Sequence, residues 1–158
     1  MKVFLSLDNP VKKWFNHEDG MLNAVSYKGG VKIMPKEGIY DVHCHIIPGV
    51  DDGASDYEET KILLQMEYNQ GVRVFIATPH FRFQMFETPI EHIKEQFVLA
   101  QRAAAEISND LEVYLGCEFH VNMEMTEMLK AGKVSTMAGS RYVLTEFSEN
   151  SEVSYIRE

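Results

Sequence analysis

Asp41-Val42-His43-Cys44-His45-Ile46-Ile47-Pro48-Gly49-Val50-Asp51-Asp52-Gly53 closes an apolar run that begins at Ile39, and it follows two imidazoles with paired carboxylates. On a β-strand, residues i and i+2 point to the same face about 7 Å apart at Cα, so His43 and His45 can converge on one ion while Val42 and Cys44 face away. Imidazole mixed with carboxylate is a donor set for borderline divalent cations. Pro48, Gly49 and Gly53 allow the chain to fold back over the strand end and deliver Asp52 to it. Taken alone, the same residues also suit a polar strand end with two surface histidines.

Working outward, strand-like and helical patterns alternate from Ile39 onward. Strands are predicted at 39–43, 72–78, 111–119 and 142–147, and helices at 56–70, 88–109 and 123–131. In the first helix Ile62, Leu63, Met66 and Tyr68 recur at helical spacing, with Ser55 or Asp56 as N-cap, Glu58 and Glu59 in the first turn and Gly71 past the end. Thr88 is placed to cap the second helix with Pro89 at its first position, and Ile90, Ile93, Phe97, Ala100, Ala104 and Ile107 form its apolar face. Gly132 closes the third. Strands separated by helices in this order imply right-handed crossovers and a parallel α/β sheet or barrel. Residues 1–38 break the rhythm and read as a short N-terminal extension before a domain at 39–158. Within the extension, residues 25–33 suggest a hairpin about Gly29-Gly30, packed by Trp14-Phe15, and Lys12, Lys13, Lys28, Lys32 and Lys36 make it comparatively basic.

Composition narrows the partners. With 158 residues, 45% of them hydrophobic, the chain can bury a core, and a formal charge of -9 argues against nucleic acid. A phosphate ester remains compatible, because clustered cations make a site locally positive. No apolar run approaches the roughly 20 residues of a membrane helix and the N-terminus lacks a signal-peptide pattern, so the expected location is the cytoplasm, without membrane insertion. Cys44 and Cys117 are the only cysteines and read as small buried thiols rather than a disulfide.

The strand ends share one property. His43 and His45, His80, Glu118 and Glu146 each fall at or near the C-terminal end of a predicted strand, and Asp52 joins them from the loop after the first. In parallel βα architectures that edge is where sites are built, because side chains of different strands converge there.

Together, His43 to Gly53, Ala77-Thr78-Pro79-His80, Gly116-Cys117-Glu118 and Val143-Leu144-Thr145-Glu146 resemble the polymerase-and-histidinol-phosphatase superfamily. The closest resemblance is to its branch of bacterial manganese-dependent protein-tyrosine phosphatases of capsule and exopolysaccharide loci, over residues 39–147. The resemblance implies a distorted (β/α)7 barrel, of which this chain would supply a partial barrel of the first four βα units. It also implies up to three divalent ions, manganese with iron or zinc as alternatives. By that resemblance His43, His45 and Glu118 bind the first ion, Glu118 bridges to a second held also by Glu146, and Asp52 and His80 hold the third. The implied enzyme is a phosphoric monoester hydrolase in which a metal-activated hydroxide, not a cysteine, attacks phosphotyrosine. Its implied partner is a phosphotyrosine protein such as a bacterial tyrosine kinase of a polysaccharide locus. Neither cysteine opens a Cys-x5-Arg phosphate loop.

Complete members of that branch supply a later histidine, an Asp-x-His pair and phosphate-holding arginines. Their absence before Glu158 leads to the expectation of a C-terminally truncated chain with one ligand missing per ion. Unpaired sheet edges would then invite self-association. Two alternatives stay open at this stage: a non-catalytic metal-binding or interaction remnant, and a histidinol-phosphatase-like small-molecule phosphatase. Arg82, in a loop with Phe81, Phe83 and Phe86, and His120, two residues beyond Glu118, are weaker candidates for substrate contact. Asp41 and Asp51 are expected to orient ligands from behind. His17 and His92 read as surface residues.

Overall fold

The computed structural model describes residues 2–6 and 37–148. In chain order its elements are β1 (Lys2–Ser6), β2 (Ile39–Cys44), α1 (Tyr57–Asn69), β3 (Val72–Ala77), β4 (His80–Phe81), α2 (Ile90–Ile107), β5 (Glu112–Leu115), β6 (Glu118–His120), α3 (Met125–Lys130), a 3-10 turn (Met137–Gly139) and β7 (Tyr142–Glu146). The hairpin expected at 25–33, the packing of Trp14-Phe15, His17 and the lysines from Lys12 to Lys36 lie outside the described residues.

The strands form a mixed α/β fold with parallel sheets in two groups, ordered β2-β3-β5 and β1-β7-β6-β4. The break between the groups has a local cause. Proline has no N–H to give to a ladder, and Pro79 stands between β3 and β4. Register nevertheless survives it: Val74 pairs with Glu112 and His80 with Glu118 at the same offset. Across the gap the carbonyls of Ala77 and Pro79 accept from Gly116 N at 2.7 Å and Glu118 N at 3.0 Å. The strand predicted at 111–119 is therefore β5 and β6 in one line, and the chain line of β3 continues past Pro79 into β4. No closed sheet is present among the described residues, so the partial barrel expected from the resemblance corresponds here to an open, divided arrangement.

One strand had no counterpart in the sequence reading. β1 pairs antiparallel with β7, Lys2 opposite Glu146 and Ser6 opposite Tyr142. It lies inside the stretch read as an extension, and it covers the β7 edge that a purely parallel reading leaves unpaired.

Both long helices are tied to the loop after β2. Asp56 caps α1 by accepting from Glu59 N at 2.9 Å, while the Glu59 carboxylate reaches back to Ser55 N at 2.8 Å. The stripe that α1 buries differs from the predicted one. Ile62 and Met66 are 59% and 56% exposed, whereas Thr60 and Leu64 are fully buried, with Leu63 and Tyr68 packed beside them. Thr60 can sit in the core because its hydroxyl donates to Ile46 O at 2.9 Å and Asp56 O at 3.0 Å. Thr88 likewise does not cap α2. Its hydroxyl donates to Val50 O at 2.8 Å, and Pro89 takes the N-cap position. The apolar face predicted for α2 does turn inward at Ile93, Ala100 and Ala104. Between the helices and the β2-β3-β5 sheet lies a core that includes Ile46, Ile47, Leu64, Phe75, Ile93 and Ala103.

Candidate metal centre

The site grows from an irregularity in β2. Asp41 pairs with Phe75 and Cys44 with Ala77, so β2 spends one more residue than β3 over the same span. Such a bulge takes a backbone group out of the ladder and re-aims side chains. The Asp41 carboxylate accepts from His43 N at 3.0 Å. Asp41 thus braces the histidine through its backbone, not through the ring.

All six predicted ligands come together. His43 Nε2 lies 2.9 Å and His45 Nε2 3.2 Å from the same oxygen, Glu118 Oε2, and the two ring nitrogens are 3.3 Å apart. His80 faces Glu118 Oε2 through Nδ1 at 3.5 Å and Asp52 Oδ1 through Nε2 at 3.6 Å. Ligand atoms of His43, His45 and Glu118, of His45, Asp52 and His80, and of His80, Glu118 and Glu146 form three groups, each within 4.8 Å. Glu118 is fully buried and sits on β6, where the preserved register sets it beside His80.

The loop 46–55 is folded tightly under the histidines. Ala54 N donates to His45 O at 2.9 Å and Gly49 N to Ala54 O at 2.8 Å. A Cβ on Gly53 would stand 2.1 Å from His45 O, so only glycine permits this approach. Asp51 accepts from His45 Nδ1 at 2.8 Å, from His80 N at 2.9 Å and from Gly53 N at 3.0 Å. Burial alone would lower the His45 pKa, but its bonds to Asp51 and Glu118 outweigh that and push it up to about 9. Burial likewise works against the Asp51 carboxylate, whose bonds from His45, His80 N and Gly53 N hold it below its usual value.

The donors fit divalent cations. Two imidazole nitrogens crowd one buried carboxylate oxygen, an arrangement in which a cation can take the place of the protons held there. His80 Nδ1 is buried and makes no hydrogen bond, its 3.5 Å approach to Glu118 being an ion-pair distance only. Cys44 and Cys117 are both buried and free, and burial foremost raises each thiol well above its usual pKa. Neither is a thiolate nucleophile at neutral pH.

The model of the capsular polysaccharide synthesis family CpsB/CapC matches residues 39–158. The chain belongs to the CpsB/CapC family. Similar curated relatives include the tyrosine-protein phosphatase CpsB of Streptococcus pneumoniae, 43% identical over 108 residues that make 68% of this chain and 44% of the relative. The putative tyrosine-protein phosphatase CapC of Staphylococcus aureus is 30% identical over 73% of this chain and 45% of its own. A solved structure from work on YwqE of Bacillus subtilis and CpsB of Streptococcus pneumoniae, described as metal-dependent tyrosine phosphatases, superposes with a TM-score of 0.67. It shares 26% identity and covers 75% of this chain and 48% of that one. The chain spans about half the length of the curated relatives it matches.

In this CpsB/CapC chain the weaker sequence candidates His120 and Arg82 each lie two residues past a grouped residue, Glu118 and His80. His120 Nε2 meets Ser148 Oγ at 3.0 Å and joins none of the ligand groups. Arg82 is exposed at the base of a turn in which Arg82 N donates to Phe86 O at 2.8 Å. His92 is exposed on α2 beside Glu95. Phe86, read in the sequence only as a loop neighbour of Arg82, stacks its ring on His80 at 5.1 Å and 10° and shields one face of the imidazole. No periodicity marks it, because the contact depends on the turn returning the chain over β4.

Proposed function

We propose that this chain carries the metal-binding half of a phosphoesterase centre that hydrolyses phosphotyrosine in proteins. The carrying observation is the run of three ligand groups joined through Glu118, His45 and His80. The names of its CpsB, CapC and YwqE relatives support the substrate class. His43, His45 and Glu118 would hold one divalent ion. Asp52 and His80, beside His45, would hold another, and Glu146 with Glu118 a third. Such ions supply Lewis acidity toward phosphoryl oxygens and lower the pKa of water, with manganese as the proposed metal and iron or zinc as alternatives.

The chain's own groups have separable tasks. Glu118, fully buried, would offer its carboxylate to the cations in solvent-poor surroundings, where charge acts strongly. Asp52, with a side chain 64% exposed, lies at the open side where substrate would arrive. The proposed substrate is a phosphotyrosine protein, with a bacterial tyrosine kinase of a polysaccharide locus as the candidate. Among the described residues no helix is long and apolar enough to cross a membrane.

The test is turnover of a phosphotyrosine peptide before and after EDTA, with manganese added back. Loss and recovery of activity are expected. Turnover that persists undiminished in EDTA would overturn the reading.

A further inference from the structure

Two neighbouring aspartates in the ligand loop share a side-chain type and differ in everything else. Asp52 points outward, while the Asp51 side chain is fully buried. Both oxygens of Asp51 are engaged: Oδ2 accepts from His45 Nδ1 at 2.8 Å and from His80 N at 2.9 Å, and Oδ1 accepts from Gly53 N at 3.0 Å. His45 and His80 belong to different strand lines, β2 and β3/β4, and their rings lie 4.5 Å apart. Asp51 is in contact with both lines and with the turn that carries Asp52.

We infer that Asp51 is a positioning residue that keeps the His45 proton on Nδ1, turns Nε2 toward Glu118, and locks the His45 and His80 arms to one another. A carboxylate is required for this. Three donors converge on it, and an acceptor-only group meets them all. Asparagine has one acceptor oxygen and one donor NH2. Whichever way the amide turns, its NH2 faces either Gly53 N–H or the pair formed by His45 Nδ1 and His80 N–H. In the second orientation His45 must become the acceptor at Nδ1, which moves its proton to Nε2, the atom directed at Glu118 and His43. Histidine ligands generally depend on such a partner for ring orientation and tautomer, and losing it costs about 10–100-fold in metal affinity.

The inference rests on the metal-centre reading and not on the substrate. Its test uses zinc, which is diamagnetic, as the probe ion. Nitrogen NMR of the zinc-loaded chain should find the His45 proton on Nδ1 and slow to exchange. Asp51→Asn should raise the zinc dissociation constant about 10–100-fold and abolish or expose that Nδ1 proton. A merely structural role would lower the melting temperature without moving the proton. A wild-type chain with the His45 proton on Nε2 would overturn the inference, as would Asp51→Asn with unchanged zinc affinity and an unchanged Nδ1 signal. The wild-type measurement decides even where the variant fails to fold. If the wild type bound no zinc, yet its metal-free form kept the proton on Nδ1 at alkaline pH, the metal reading would fail and the positioning role would stand.

Discussion

The two sides of the centre are built differently. On the side of the loop after β2, every histidine has a second attachment: His43 through its N–H to Asp41, His45 through its ring to Asp51, and His80 through its N–H to Asp51 and its ring face to Phe86. On the side of β6 and β7, Glu146 is half-buried, His120 turns to Ser148, and Met123, just past β6, stands exposed. The first side is organised before any ion arrives. Glu118, which shares ligand groups with His43 and His45 on the first side and with Glu146 on the second, is the hinge between them.

Removing that hinge should have the largest effect. Glu118→Ala is expected to weaken metal binding by more than the roughly 100-fold that loss of a ligand's orienting partner costs. Glu146→Ala should weaken one group and leave the His43 and His45 pair intact. Metal titration by calorimetry checks both, and equal effects of the two would erase the distinction between the sides.

Next in size is Gly53→Ala. Its Cβ would collide with the backbone oxygen of His45, a contact that no flexible side chain can relieve. A loss of about 3 kcal/mol in a urea titration is expected, together with weaker metal binding, since overpacking against rigid neighbours costs about 1–3 kcal/mol. An alanine variant as stable and as metal-competent as the wild type would show that the loop is not tightly seated.

The pH response follows from His45. Its folded pKa near 9 exceeds the ordinary 6.5, so the metal-free chain has this contribution in full below pH 6.5 and loses it as pH rises through about 9. The contribution is on the order of 3 kcal/mol before solvent screening and smaller after it. Metal binding runs the opposite way, because the ion must displace the second proton of the imidazolium. Affinity should rise about tenfold per pH unit up to the region of pH 9. Melting curves and titrations across pH 6–9.5 would check both slopes, roughly bracketing the transition.

The smallest effect is away from the centre. Burial foremost, then Asp41, pushes Glu67 up to about 7, so its ionisation opposes folding increasingly as pH rises from 4.5 through 7. Glu67→Gln should therefore stabilise the metal-free chain at pH 8. After solvent screening of this half-buried group, the gain is about 1 kcal/mol or less, read as a small rise in melting temperature. A lower melting temperature would mean that the pair is not strained.

Legibility tracked the range of the interaction. The helices around Leu64 and Ala100 and the strands that end near His43 and at Glu146 were readable, because periodicity and caps are local, whereas His80 and Glu118 open the short strands β4 and β6 instead of ending longer ones. The stripe on α1 was misread because Thr60 is buried by a hydroxyl bond to Ile46, and apolar spacing cannot see a satisfied polar group. Thr88 was misread for the same reason, its partner being Val50 in a distant loop. The division at Pro79 was half visible, since proline marks a break but not that the register resumes beyond it.

By itself, the chain of amino acids determined which residue types could form a metal centre and that parallel strand ends would present them, since donor chemistry and strand spacing are properties of short segments. Only the tertiary structure decided that β1 covers β7, that Glu118 reaches His43, His45 and His80 at once, and which donors converge on Asp51. Those outcomes depend on the register between strands and on a loop closing over glycine. Such closure is set by packing between segments far apart in sequence, and no local pattern encodes it.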